Sequence, residues 1–439
     1  MLRGRALAVI ASVGVLCDAL PAQAPFTWLT VPQRDGRRSR TSGATVSVSG
    51  DGRYVAFASY ARLSAVDTDA LADVYVLDRS TTTITLESAS VDGRPLNSDC
   101  THPRISADGR YVAFEAVTGE DPNRGVTDVV LRDRVENTTR QITKGRGGAL
   151  TNGWSGQAVL DAHAGTIVFS STATNLLPQV DVNGSQPDIY RFEAGTNAIE
   201  RISVDSRGVQ HHGGSLMPSM SADGRYVAFS SGAALASARS GLERTLTAAR
   251  PSVIYLRDTR TGQTTLVSGP GQPPNDGSAM PVISANGRAI AFSSRASNLV
   301  ARDRNKVSDV FLYDVETGTV TLVSRATGGG TANGASVNPA ISADGRFVAF
   351  QSEASDMACG RNCRPAMDDI NLLPDVFIFD RTSGQISCLS LDEQGTWMEE
   401  SGAPAIDASG GVVAFTSRHP ISAGDVLNDF DLFVRVVPQ

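Results

Sequence analysis

The sequence predicts an all-β fold, a seven-bladed β-propeller whose blades are four-stranded antiparallel sheets. The phrase SADGRYVAF occupies residues 106–114 and returns unchanged at residues 221–229. Variants bring the number of copies to seven, and the phenylalanines that close successive copies are 55 to 65 residues apart. These are Phe57, Phe114, Phe169, Phe229, Phe292, Phe350 and Phe415. Each copy except the last also contains four short runs rich in β-branched and aromatic residues, separated by Gly, Asn and Asp. Repeated units of four antiparallel strands are the pattern of a propeller.

The positions of these runs give the expected blades. We expect them at residues 45–88, 102–143, 156–203, 217–268, 280–324, 338–390 and 403–437. The last copy contains only three strand-like runs, whereas FTWLTV at residues 26–31 resembles the fourth run of the other copies. We therefore expect residues 26–31 to be the outer strand of the seventh blade. This pairing would close the ring, cover an open sheet edge and make residues 25–439 one propeller.

Residues shared by all copies are predicted to be scaffold, because every blade of a propeller meets its neighbours in nearly the same way. This interpretation applies to Asp108, Gly109 and Phe114 and to their equivalents. Asp-Gly supplies the positive φ that a tight hairpin turn requires. Alternation along YVAF sends Val and Phe to one face of the blade, and Tyr and Ala to the other.

Residues 1–24 have the features of a secretory signal peptide. A basic start is followed by the apolar stretch Ala6–Cys17 and by ALPAQA, which ends in small residues. Cleavage after Ala24 fits this pattern, with Ala22 as the rival position and lipidation of Cys17 as the alternative process. We expect an exported protein, periplasmic or extracellular, in an oxidising compartment.

Charge and hydropathy exclude two classes of partner. The formal net charge is −7, whereas a nucleic-acid-binding protein needs a basic face to neutralise phosphates. After the first segment, no stretch approaches the roughly 20 apolar residues of a membrane span. We expect a monomer that binds neither nucleic acid nor membrane.

The connections between strands differ in length. Turns between first and second strands, and between third and fourth strands, are short, whereas the other two classes are long and variable. The geometry of antiparallel strands puts the long connections on one face, called here the long-loop face, and the short turns on the opposite short-turn face. Binding residues favour variable loops on a rigid scaffold. The candidate binding residues on the long-loop face are His102, His211, His212, Arg239, Arg244, Arg250 and His419. Chance placement of polar loop residues is the alternative.

Several connections between second and third strands carry a short acidic motif, and DVNGSQPD at residues 181–188 is the nearest of them to a calcium loop. Carboxylate and amide oxygens two residues apart, with a further carboxylate, are typical of calcium loops. The candidate calcium ligands are Asp67, Asp69, Asp73, Asp181, Asn183, Asp188, Asp303, Asn305 and Asp309. The alternative is local hydrogen bonding to backbone N–H groups, with the last Asp fastening the connection to the third strand.

The cysteines divide into a pair and two single residues. Cys359 and Cys363 lie in one long connection of an exported chain, and we expect a disulfide between them. Cys100 stands where other copies have a serine, and Cys388 occupies a fourth-strand position typical of leucine. Both are expected to be packing residues.

No catalytic motif accompanies the repeat. We find neither a G-x-S-x-G nucleophile elbow nor a nucleotide-binding loop. The units PxxSADGRYVAFxS and DVFLYDxxTGxxTLVS resemble the WD-repeat-like propeller repeat of TolB-type exported bacterial proteins. That resemblance implies export and protein binding, and it supplies no catalytic residues. We expect a non-catalytic propeller that binds a protein or glycan of the cell envelope. The alternative is a metal-dependent carbohydrate-active enzyme, a lyase or hydrolase, with histidines at the propeller mouth.

Overall fold

The computed structural model of the chain describes residues 27–28, 45–118, 125–236, 251–301, 303–327, 329–357, 371–392, 395–419 and 430–437. The strands form seven four-stranded antiparallel sheets, each of them a blade of a propeller. The predicted fold class is confirmed. Arg146–Gly148 forms a short 3-10 helix between two blades.

The strands are numbered β1 to β28 along the chain. Blade 1 contains β2 (Ser47–Val48), β3 (Tyr54–Ser59), β4 (Asp73–Asp78) and β5 (Thr83–Leu86). Blade 2 contains β6 (Thr101–Ile105), β7 (Tyr111–Val117), β8 (Thr127–Asp133) and β9 (Thr138–Gln141). Blade 3 contains β10 (Ser155–Leu160), β11 (Thr166–Ser171), β12 (Asp188–Glu193) and β13 (Ala198–Arg201). Blade 4 contains β14 (Ser215–Met220), β15 (Tyr226–Ser231), β16 (Val253–Asp258) and β17 (Gln263–Leu266).

Blade 5 contains β18 (Ser278–Ile283), β19 (Ala289–Ser294), β20 (Asp309–Asp314) and β21 (Thr319–Leu322). Blade 6 contains β22 (Ser336–Ile341), β23 (Phe347–Ser352), β24 (Asp375–Asp380) and β25 (Gln385–Cys388). Blade 7 contains β26 (Ser401–Ile406), β27 (Val412–Ser417), β28 (Asp431–Val436) and β1 (Thr27–Trp28).

The fourth strand of blade 7 comes from the other end of the chain. Thr27 pairs with Val434 and Trp28 with Phe433 in an antiparallel ladder. This is the pairing expected of residues 26–31, whose other members lie outside the described residues. The outer edge of β28 is therefore covered along these two residues.

The first strands of the blades contact one another around the central channel. Six of them, β6 and its equivalents in blades 3 to 7, contain a bulge near the long-loop face, where the register shifts. One non-glycine residue in each bulge has a positive φ between 49° and 56°. These residues are His102, Gln157, Met217, Met280, Asn338 and Ala403. Bulges change the direction in which side chains point, and these bulges do so at the end of the channel on the long-loop face.

The core consists of apolar layers between adjacent blades. Val55 and Phe57 of blade 1 pack with Ala414 of blade 7, whereas Ala56 packs with Phe114 of blade 2. The predicted alternation along the YVAF strand is confirmed. The seven repeated phenylalanines are each less than 2% exposed, and each packs with a residue of the preceding blade that is alanine in six cases and Val168 in the case of Phe229.

The repeated turn is scaffold, as predicted. In blade 2, Asp108 accepts hydrogen bonds from the Ser106 hydroxyl and from the Arg110 backbone N–H. Gly109 has a φ of +73°, and a Cβ at this position would lie 2.3 Å from the ring of Tyr54 in blade 1. The positive φ of the turn and the close contact with the ring of Tyr54 both require a glycine at position 109.

The connections fall into two length classes on two faces. In blade 1 the short-turn face carries residues 49–53 and 79–82, whereas the connections on the long-loop face comprise residues 60–72 and 87–100. Within the described ranges, no helix combines the length and the apolar character that a membrane crossing requires.

Candidate functional site

The last Asp of the acidic motif fastens the connection to the blade. In blade 1, the Ser88 hydroxyl at the end of the fourth strand donates to Asp73 and accepts the backbone N–H of Val74. Equivalent pairs are Thr143 with Asp128, Ser203 with Asp188, Ser324 with Asp309 and Ser390 with Asp375. The fastening role expected for this Asp is present in all five of these blades.

Blade 1 brings three carboxylates together. Ligand oxygens of Asp67, Asp69 and Asp73 lie within 4.8 Å of one another, and we call these residues the blade 1 acidic cluster. Asp67 is 5% and Asp73 1% exposed. One oxygen of Asp67 accepts the hydroxyl of Tyr75, but Asp67 Oδ1 and Asp73 Oδ2 are buried with no hydrogen-bond partner. The three turn residues predicted in this blade therefore converge on one point.

Burial dominates the electrostatics of this cluster. Burial raises the pKa of Asp73 to about 7, and the charges of Asp67, Asp69 and Asp99 add to the rise. Burial also raises the pKa of Asp67, against the opposing hydrogen bond from Tyr75. A buried carboxylate resists ionisation unless a positive charge compensates it.

In blade 3 the same motif is neutralised from within the chain. The side-chain amide of Gln210 donates to Asp181 Oδ1, Asn183 Oδ1 and Asp188 Oδ2 at 2.8, 3.0 and 2.8 Å. The guanidinium of Arg201 lies 3.7 Å from Asp181 and 3.4 Å from Asp188. Burial raises the pKa of Asp188 to about 6, and the charge of Arg201 opposes this rise. The position that a cation would take is occupied by protein donors.

Blade 5 has a third arrangement. The amide of Asn305 donates to Asp309 Oδ2 and to the carbonyl of Ala332, both at 2.8 Å. Burial raises the pKa of Asp309 to about 7 and raises that of Asp303. Among the residues that the structure describes, one group of three candidate metal ligands is present, the blade 1 acidic cluster. Asp303 is not part of such a group.

Two of the predicted histidines lie beside separate carboxylates. His102 Nδ1 is 3.3 Å from Glu115, and His211 Nε2 is 3.1 Å from Asp205. No group of three candidate metal ligands among the described residues contains a histidine. The structure thus does not gather His102, His211, His212 and His419 into one metal centre.

A polar group that the sequence analysis did not predict lies at the channel mouth, the end of the central channel on the long-loop face. Glu115 is 5% exposed and accepts the backbone N–H of Gln157 at 2.9 Å and the indole N–H of Trp154 at 3.4 Å. The side-chain carbonyl oxygen of Gln157 in turn accepts the backbone N–H of Met217 in blade 4. We call His102, Glu115, Trp154 and Gln157 the mouth cluster.

The signal for this cluster was a departure from the repeat. Glu115 follows the phrase YVAF, where the other copies have uncharged residues, namely Ala58, Ser170, Ser230, Ser293, Gln351 and Thr416. The next blade makes room for it, because a Cβ on Gly156 would lie 2.4 Å from its carboxyl group. Glu115 is charged at a position that is uncharged in the other six copies, and this added charge marks a blade-specific site.

Arg104 adds a cation close to the mouth cluster. It stands on β6 two residues beyond His102 and is partly exposed. Desolvation lowers the pKa of its guanidinium, and the charge of Glu115 opposes that shift. The mouth therefore offers groups of both signs beside an indole.

The remaining predicted residues divide between described and undescribed parts. Arg239, Arg244, Arg250, Cys359 and Cys363 lie outside the described residues, so the expected basic patch and disulfide stay predictions. Cys100 and Cys388 are buried free thiols, in keeping with their expected packing roles.

Comparison with known proteins finds likeness in fold. No family model matches the chain, and no curated protein matches it. An oligogalacturonate lyase from Vibrio parahaemolyticus is 14% identical, with a TM-score of 0.53 over 91% of this chain and 91% of that one. The β-propeller domain of the Trilobed protease from Pyrococcus furiosus is 10% identical, with a TM-score of 0.53 over 91% and 96%. TolB from Acinetobacter baumannii is 17% identical, with a TM-score of 0.39 over 72% of this chain and 61% of that one.

Proposed function

We propose that the chain is an exported, non-catalytic β-propeller that binds a protein or glycan partner through its long-loop face. The observation that supports this most directly is the mouth cluster. Its members come from blades 2 and 3 and depart from the repeat, whereas the short-turn face repeats the same residues from blade to blade. Function on a repeat scaffold resides in such blade-specific residues.

The chemistry of the mouth cluster suits a ligand rich in hydroxyl groups. Trp154 is only partly buried, and its ring offers an apolar face beside the carboxylate of Glu115. The Gln157 amide and the Arg104 guanidinium add directional donors. Aromatic surface with a few convergent polar groups is typical of small-ligand and glycan sites.

Binding by the mature chain to a glycan array and to envelope proteins tests this proposal. Trp154→Ala and Glu115→Gln should each weaken the recovered interaction at least about tenfold. Glu136→Gln is the matched control, since Glu136 is an exposed acid on the short-turn face of the same blade. A partner that binds all three variants equally well would contradict a site at the mouth.

The second candidate is the metal-dependent carbohydrate-active enzyme, a lyase or hydrolase. The contact between His102 and Glu115 favours it, because an imidazole beside a carboxylate can exchange a proton with a substrate. Oligogalacturonate is the first substrate to test, given the name of one structural neighbour. Turnover that needs a transition metal and is lost in His102→Ala or His212→Ala would overturn the non-catalytic proposal.

Export rests on the signal peptide proposed for residues 1–24. Expression in a bacterium followed by N-terminal sequencing should give a mature chain that begins at Pro25. A product in the envelope fraction that still begins at Met1 would contradict it.

A further inference from the structure

We propose that the blade 1 acidic cluster, Asp67, Asp69 and Asp73, is a calcium site. This inference is independent of partner binding at the mouth cluster. It concerns one blade only, although blades 3 and 5 carry the same motif.

The spacing of the oxygens fits a single calcium ion. Calcium binds oxygen ligands at 2.3–2.6 Å, so two ligands of one ion are at most about 5 Å apart. Ligand oxygens of the three carboxylates lie within 4.8 Å of one another. All three residues offer oxygen alone, which is the donor type that calcium prefers.

The two buried carboxylates each keep one oxygen without a partner. Asp67 Oδ1 and Asp73 Oδ2 accept no hydrogen bond, although their residues are 5% and 1% exposed. The second oxygen of each is held by Tyr75 and by Ser88 respectively. An unpaired buried carboxylate oxygen is costly, and a bound cation would remove that cost at both atoms.

In blades 3 and 5 protein donors meet the last Asp of the motif, although Asp303 Oδ1 of blade 5 is also buried without a hydrogen-bond partner. Ser88 and Cys100 of blade 1 are twelve residues apart, as are Ser203 and Ser215 of blade 3, so positions between them correspond directly. The position of Gln210 in blade 3 is that of Pro95 in blade 1. Proline carries no hydrogen-bond donor at all.

The second donor of blade 3 is also missing from blade 1. Arg201 is the last residue of β13, and the last residue of β5 is Leu86. In blade 5 the donor is the amide of Asn305, whose position in blade 1 is occupied by the carboxylate of Asp69. Blade 1 therefore has a negative charge or an apolar group at each position that supplies a donor elsewhere.

A calcium ion here would tie the long connection to the blade. Asp67 and Asp69 belong to the connection at residues 60–72, and Asp73 begins β4. The ion would hold this part of the long-loop face in one conformation, with backbone carbonyls and water completing the coordination shell.

Terbium luminescence and thermal melting of the mature chain test the proposal. Tyr75 donates to Asp67 and so lies close enough to sensitise Tb³⁺ emission from the cluster. After EDTA treatment, we expect sensitised emission that CaCl₂ displaces, and a rise in Tm on adding CaCl₂ alone. Asp69→Asn, which gives blade 1 the residue of blades 3 and 5, should weaken calcium binding at least about tenfold.

Asp303→Asn is the matched control, because it neutralises an acid of the same motif in blade 5. It should keep the full calcium response. Wild-type protein with neither emission nor a shift in Tm would overturn the proposal, and so would an equal response in Asp69→Asn. Should Asp69→Asn fail to fold, Tyr75→Phe provides the second test. It should reduce the sensitised emission while largely keeping the rise in Tm that calcium causes.

Discussion

The acidic connections of blades 1 and 3 share a motif but differ in the groups that meet their carboxylates. In blade 3, Arg201 and Gln210 meet the carboxylates of Asp181 and Asp188. In blade 1 the corresponding positions hold Leu86 and Pro95, and buried carboxylate oxygens remain without partners. The motif therefore defines the anchor of the connection, whereas residues on the fourth strand and beyond it decide whether a cation is needed.

The largest effect is expected for Arg201→Met in EDTA. It should lower the free energy of unfolding by about 3 kcal/mol, because it leaves buried carboxylates without their cation. Leu86→Met, at the same position of blade 1, is the control and should cost less than about 1.5 kcal/mol. Chemical denaturation measures both values, and equal losses would remove the distinction between the two blades.

A smaller effect is expected for Gln210→Ala. Its amide donates to three oxygens, so the substitution should cost about 2 kcal/mol through unsatisfied buried acceptors. Pro95→Ala in blade 1 removes no donor and should cost less than about 1 kcal/mol. Equal stability of Gln210→Ala and Pro95→Ala would contradict the role of Gln210 as a donor to the carboxylates of blade 3.

The pH dependence of blade 3 gives a third and smaller effect. The pKa of Asp188 is raised to about 6 from the ordinary value of 3.8, so the folded protein holds this proton to higher pH than the unfolded chain. Its contribution is fully present below pH 3.8 and is lost as the pH rises through 6. Relative to Asp188→Asn in EDTA, wild-type stability should fall by about 1 kcal/mol between pH 5 and 7. A difference that stays constant or grows would contradict this assignment.

The fold was predictable because the repeated residues carry out the same structural task in every blade. Gly109 is required by a positive φ and by the ring of Tyr54, and Phe114 packs on Ala56 of the preceding blade. The phenylalanine recurs in all seven blades and the glycine in six, blade 3 having Ala164 with a φ of +54° at that position, so these requirements leave near-identical phrases in the sequence. The pairing of Thr27–Trp28 with β28 followed from the same repetition, through the strand that the last copy lacks.

The sites were only partly predictable. The motif identified Asp67, Asp69 and Asp73, but the nearest match to a calcium loop was the motif of blade 3, whose neutralising donors Arg201 and Gln210 are distant in sequence. In blade 5 the donor Asn305 is itself part of the motif. Glu115 was missed since it lies within a repeated strand, where only comparison between copies reveals the added charge. In blade 3 and at the mouth cluster, contacts between residues distant in sequence decide the site, rather than local spacing.

The most direct test of the account is the amount of calcium bound per chain, measured by equilibrium dialysis. Asp69→Asn should bind one ion fewer than the wild type, and Asn305→Asp, which gives blade 5 the three carboxylates of blade 1, should bind one more. Equal calcium content in all three proteins would contradict the claim that the donors around each motif determine whether it holds a cation.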